Sequence, residues 1–200
     1  MTPMADSFPT SAPDAPRPAS LLVLGYGNPG RQDDGLGVAC VEALEQWAAS
    51  ESLNGLAFDS NYQLNVEDAL AIAGHDGVLF ADATREPVAR FELRRIAPLA
   101  ATAFTTHAMT PEAVLALCVE LYGKRPAAWL LTIHGHSWEP NAAMTAEARA
   151  NLAAALAFVK PFLRNPCLPQ RDDRPGRRQK APNHGARLSH RCGAARPADC

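Results

Sequence analysis

The sequence is notable first for what it lacks. No apolar run among its 200 residues approaches the roughly 20 needed to cross a bilayer, so no membrane-spanning helix is expected. The first twenty residues have neither a basic start nor an apolar stretch, and the chain is expected to be soluble and not exported. Charge is also in short supply. Nineteen Lys and Arg against 21 Asp and Glu leave a formal charge of −2, and no long-range field singles out nucleic acid or an anionic membrane as partner. C-x-x-C pairs are missing as well: Cys40, Cys118, Cys167, Cys192 and Cys200 are an odd set, two of them inside apolar helical patterns. That pattern argues against a disulfide framework or a zinc site and for buried thiols in a reducing cytoplasm.

Large apolar side chains are scarce at both ends. Residues 1–19 are rich in Pro, Ser and Ala, and residues 165–200 combine Pro, Gly and many Arg, so neither segment buries enough surface to offset its ordering entropy. Both are expected to be disordered, with Arg174, Arg177, Arg178 and Arg187 solvated in a basic tail. Residues 20–164 remain as a single domain of ordinary size.

Within that domain, strand and helix signals alternate. Leu21-Leu22-Val23-Leu24 and Val78-Leu79-Phe80-Ala81 read as buried strands, Leu56-Ala57-Phe58 leads into Asp59 as a further strand, and the run from Ala128 to Ile133 reads as a central one. Residues 91–96 alternate as an edge strand would. Cys40, Ala43, Leu44 and Trp47 form the stripe of an amphipathic helix over residues 35–49. A short helix follows from Val66 to Ala73. Thr110-Pro111-Glu112 opens another with a capping hydroxyl, a first-turn proline and an acid. Its buried stripe reads Val114, Leu117, Cys118 and Leu121, and Gly123 ends it. A last helix starts at Thr145 with Leu152, Leu156, Val159 and Leu163 inward. The expected fold is a three-layer α/β/α sandwich with a mainly parallel sheet of about five strands. Ligands in such sheets gather beyond the carboxyl ends of the strands.

Three loops at that rim carry chemistry. The first runs Gly25-Tyr26-Gly27-Asn28-Pro29-Gly30-Arg31-Gln32-Asp33-Asp34-Gly35-Leu36-Gly37. Its glycines match G-x-G-x-x-G, and Asp59 could mimic a ribose-binding acid, so a non-enzymatic dinucleotide-binding module is one reading. Pro29 removes a donor, however, and Asp33 and Asp34 fill the place of a phosphate. Either acid could instead cap the following helix. Gly35 and Gly37 are harder to explain by capping, since glycine costs roughly 1 kcal/mol per helical site. Close approach by another chain or a ligand would account for them.

Asp82 ends the third strand in Leu79-Phe80-Ala81-Asp82-Ala83-Thr84, and His107 stands in Thr105-Thr106-His107-Ala108-Met109-Thr110-Pro111. Singly, each has an ordinary role as turn former or surface histidine. Converging with Asp34, they offer two carboxylates and an imidazole, an incomplete shell suited to a divalent ion such as nickel, zinc or iron. The ion would polarise a peptide carbonyl or acidify water. Alternatively Asp34 and Asp82 share a proton and activate water as an aspartic dyad. His134 and His136 lie on one face after the last strand, where hydrogen bonding with Trp138 and Glu139 is the expected role.

Gly25-x-Gly27-Asn28, then Asp33-Asp34-Gly35-x-Gly37, Ala81-Asp82-Ala83 and His107 ahead of a helix together resemble the nickel-iron hydrogenase maturation protease family. The resemblance runs from about residue 20 to residue 163 and includes Leu131-Thr132-Ile133 to Trp138-Glu139-Pro140. It implies an endopeptidase that removes the C-terminal extension of a hydrogenase large-subunit precursor after nickel insertion. By the same resemblance, the nickel ion would be delivered by that precursor with Asp34, Asp82 and His107 as its ligands, and Asp34 and Asp82 would be the catalytic residues. Two positions depart from the family: residue 34 is often glutamate, and Asp59-Ser60-Asn61-Tyr62-Gln63-Leu64 replaces a glycine-rich stretch expected to receive the substrate tail. The opening Gly25 to Gly30 is also similar to peptidyl-tRNA hydrolases, but Asp33-Asp34-Gly35 stands where that family has Thr-Arg-His-Asn.

Overall fold

A computed structural model describes residues 20–86, 88–99 and 109–164. The two terminal extensions and His107 lie outside these residues. The described chain runs β1 (Leu21–Tyr26), a 3-10 turn (Gln32–Gly35), α1 (Leu36–Ser50), β2 (Leu56–Asn61), α2 (Asp68–Ala73) and β3 (Gly77–Thr84). It continues with β4 (Phe91–Ile96), α3 (Pro111–Tyr122), β5 (Ala127–His134) and α4 (Ala146–Arg164). The five strands form one sheet in the order β2-β1-β3-β5-β4. All neighbours are parallel except β4, which pairs antiparallel with β5 at the edge. The α/β sandwich expected from the sequence is therefore present.

Strand periodicity separates the two cores. Leu21 and Val23 of β1, Leu79 and Ala81 of β3, and Leu131 and Ile133 of β5 face α1 and α4. Leu22, Leu24, Val78, Phe80, Ala128 and Leu130 face α2 and α3. Both faces of the central strands are covered, which explains their unbroken apolar runs. Each fully buried side chain of this size stabilises the fold by roughly 1.5–3 kcal/mol relative to exposure. Cys40 and Cys118 sit in these cores as free thiols, one on each side. Among the described residues no helix is long and apolar enough to cross a membrane.

The local start and stop signals act as expected in α3. The Thr110 hydroxyl accepts a hydrogen bond from the Ala113 N–H at 3.2 Å, Pro111 opens the helix, and Gly123 closes it in the left-handed region at φ 64°. Its stripe differs from expectation, because Leu115 is buried and Leu121 is 54% exposed. The buried face ends at Cys118, and the last turn has no core beneath it. Asp82 is likewise two residues inside β3 rather than at its end, paired with Thr132 of β5. The β1 ladder stops earlier, at the Gly25–Ala81 pair, so one edge of β3 is already free of β1 at Asp82.

The glycines at the start of α1 serve this chain's own backbone, not a second chain or a ligand. A Cβ at Gly37 would overlap the carbonyl oxygens of Tyr26 and Ala81, and one at Gly25 would overlap the Gly37 carbonyl. A Cβ at Gly35 would stand 2.9 Å from Pro29 Cα. α1 can therefore start directly over the seam between β1 and β3. Gly37→Ala is expected to force these elements apart and cost about 1–3 kcal/mol, the usual range for overpacking. Urea unfolding checks this, and an unchanged midpoint at unchanged slope would contradict it.

Candidate functional site

The connections leaving β1 and β3 diverge, β1 through α1 to β2 on one side and β3 onward to β4 and β5 on the other. The crevice at such a switch point, beyond the carboxyl ends of the strands, is where open α/β sheets bind ligands. Asp34 follows β1 and Asp82 lies near the end of β3, so the topology brings both acids to that crevice.

Asp34 sits at the end of the 3-10 turn and is partly exposed. The Asn28 N–H donates to its Oδ2 at 3.3 Å, and the Asp34 N–H donates to the Arg31 carbonyl at 3.1 Å. Gly27 makes the loop possible, because its φ of 134° suits glycine and a Cβ there would overlap the Asp34 carbonyl oxygen. Its N–H donates to the Asn61 carbonyl at the end of β2, at 3.1 Å.

Asp82 belongs to the strand face that carries Val78 and Phe80, toward α2 and α3. Its carboxyl is raised from 3.8 to about 6, chiefly by burial and in smaller part by the Asp34 charge. Hydrogen bonds from the Tyr26 hydroxyl and the Ala83 N–H oppose that rise without cancelling it. Tyr26, packed against the same core, is itself driven well above the usual phenol range by burial and then by Asp82. The Asp34 charge supplies a minor part of the rise at Asp82.

Tyr26 was not singled out from the sequence. The signal was available in strand parity, since Leu22, Leu24 and Tyr26 share one face and β3 puts Phe80 and Asp82 on the same side. A phenol ending an otherwise apolar strand face needs a polar partner.

The two adjacent acids do different things, and neither side chain caps α1. Gly35 occupies the cap position with no side-chain hydrogen bond. Asp33 is fully buried and reaches across to the segment between β5 and α4. Its Oδ2 accepts from the His136 N–H at 2.8 Å, the Ser137 N–H at 3.0 Å and the Thr145 hydroxyl at 2.8 Å. Its Oδ1 accepts from the Thr145 N–H at 2.7 Å. Burial alone would raise this carboxyl, but the hydrogen bonds outweigh it and hold the group below its ordinary value. α1 begins six residues after Gly30, with the acidic turn between them, so the loop does not present bare helix N–H groups at its third glycine as a pyrophosphate site requires.

His134 and His136 do come together, their rings stacked with centroids 4.6 Å apart. Their partner is Asn151 of α4 rather than Trp138 and Glu139. The Asn151 amide donates to the His134 carbonyl at 2.9 Å and lies 3.2 Å from His136 Nε2. Trp138 instead packs over Gly135 and under the Arg85 guanidinium, while the Glu139 N–H donates to the Gln32 side chain. Among the described residues no group of three or more His, Cys, Asp or Glu is arranged to hold a metal.

The fold is an open, mainly parallel α/β sandwich with Asp34 and Asp82 on the loop after β1 and near the end of β3. Neither a protein-family profile nor a curated protein matches the chain. Solved structures do. The [NiFe] hydrogenase maturation protease HycI of Thermococcus kodakarensis KOD1 is similar at 19% identity and a TM-score of 0.58, over 74% of this chain and 94% of that one. The hydrogenase maturating endopeptidase HybD of Escherichia coli is similar at 24% identity and a TM-score of 0.56, over 72% and 92%. An endopeptidase of Escherichia coli gives 23% and 0.56, over 74% and 94%. The chain has the fold of the hydrogenase maturation proteases.

The raised Asp82 carboxyl has a signed consequence for stability. Its folded value of about 6 lies above the free value of 3.8, so folding favours the protonated form. The penalty is absent below both values, grows as pH rises between them, and is complete above the folded one. Asp82→Asn is expected to stabilise the protein by about 1–3 kcal/mol at pH 8 relative to its effect at pH 4. Denaturant melts of both proteins at the two pH values test this, and an equal difference at both would refute the burial of Asp82.

Proposed function

We propose that this chain is a maturation endopeptidase that removes the C-terminal extension of a nickel-iron hydrogenase large-subunit precursor after nickel insertion. The carrying observation is the placement of Asp34 after β1 and Asp82 near the end of β3, at the switch point of a fold shared with hydrogenase maturation proteases. Nickel belongs to the substrate: the precursor delivers it, and Asp34, Asp82 and His107 contact it.

The donor set fits a divalent ion. Two carboxylates held near one another, one of them half withdrawn from water, repel each other until a cation or a proton arrives. The Asp82 carboxyl, at about 6, is responsive to either. His107 precedes Met109 by two residues, and Met109 packs on the same core as Tyr26.

Asp34 and Asp82 serve as the catalytic carboxylates of an aspartic-type endopeptidase. The Tyr26 hydroxyl holds Asp82, leaving Asp34, the more open acid, to meet substrate and water. The buried free thiols Cys40 and Cys118 suit a reducing compartment, and the reaction is assigned to the cytoplasm. Neither nucleic acid nor membrane has a part in this reading.

Incubation with nickel-loaded precursors, followed by mass spectrometry of the released peptide, identifies partner and bond together. Asp34→Asn, Asp82→Asn and His107→Ala are each expected to slow processing by about a hundredfold or more while the protein stays folded. Normal processing by all three variants would sink the proposal. Precursor prepared without nickel separates the mechanisms: it should resist cleavage if metal is required, and efficient cleavage would assign the chemistry to the dyad alone.

A further inference from the structure

Both carboxylate oxygens of Asp33 are engaged inside the protein. Its four hydrogen bonds all come from residues 136–145. The same two segments are stitched again by the Asp33 N–H to the Ser137 carbonyl at 3.2 Å, the Asn141 N–H to the Gly30 carbonyl at 2.8 Å, and the Glu139 N–H to the Gln32 side chain at 3.1 Å. Thr145 carries the link into α4, its hydroxyl also accepting from the Ala148 N–H at 3.1 Å. Gly135 completes the fit, since a Cβ there would lie 2.9 Å from Asp33 Cβ.

This arrangement does not cap α1. What it fixes is the turn Gln32–Gly35, in which the next residue is Asp34. We infer that Asp33 is a positioning residue: its buried carboxylate ties the turn to the segment between β5 and α4 and so holds Asp34 opposite Asp82. Asp33 touches no substrate. It acts through the backbone it shares with Asp34, and Thr145 is its principal anchor. The inference rests on the reading of Asp34 as a catalytic carboxylate.

The inference predicts a split between binding and turnover. Substrate binding spreads over a large protein surface, whereas a displaced carboxylate harms mainly the chemical step. In the full-length protein, Asp33→Asn and Thr145→Val are expected to lower kcat for nickel-loaded precursor by about tenfold or more, with precursor affinity changed by no more than about twofold. Thr145→Ser keeps the hydroxyl and should restore kcat. Val159→Ala, a core truncation in α4, serves as the comparison: it should lower the melting temperature while leaving kcat of the folded fraction unchanged. If Asp33→Asn does not fold, the Thr145 pair decides the question alone. Wild-type kcat in folded Asp33→Asn and Thr145→Val, or losses that merely follow the unfolded fraction as in Val159→Ala, would overturn the inference. Normal processing by Asp34→Asn would instead indict the reading of the site, a failure visible separately in the same assay.

Discussion

The contact on which the rest depends is the approach of α1 to the ends of β1 and β3 at Gly37. Without a Cβ at that position, the helix starts against the carbonyl groups of Tyr26 and Ala81. The turn before it must then lie over the seam between the two strands, where their connections diverge. Asp34 is on that turn and Asp82 is one residue past Ala81, so a backbone packing constraint becomes a chemical juxtaposition. Gly25 and Gly27 serve the same end, one admitting the helix and the other admitting the loop.

Two neighbouring carboxylates in that loop have opposite fates because their surroundings differ. Asp33 is sealed from water but surrounded by donors, so its charge is retained. Asp34 keeps only a long contact with the Asn28 N–H and faces the crevice rim. Asp82 is withdrawn from water with fewer donors, which leaves its carboxyl poised between charged and neutral forms. Asp33 thus ties the loop down, while Asp34 beside it stays partly exposed.

Much of this was legible in the sequence. The unbroken apolar runs marked β1, β3 and β5, the alternation of residues 91–96 marked an edge strand, and Thr110-Pro111 with Gly123 bounded α3. The motifs around Asp34, Asp82 and His107 resembled the same family whose fold the chain shares. What escaped depends on contacts between distant residues. Asp33 and Asp34 could not be told apart because the partners of Asp33 lie more than a hundred positions away, with His136 separated from it by 103. The glycines of α1 invited a ligand until the strand carbonyls were seen against them. Asn151 as partner of the histidine pair was hidden for the same reason, since only the packing of α4 brings it to the end of β5.

The account's central claim is that this chain inspects a metal carried by another protein with side chains drawn from separate strands and loops. X-ray absorption at the nickel edge tests that claim most directly. The spectrum of nickel in the precursor alone would be compared with that of the same precursor, its scissile bond made uncleavable by substitution, bound to the wild-type protein. The account predicts added oxygen and nitrogen neighbours around nickel on complex formation, and their loss when Asp34 and His107 are replaced. A nickel shell that is identical in the free precursor and in a demonstrably formed complex would contradict it.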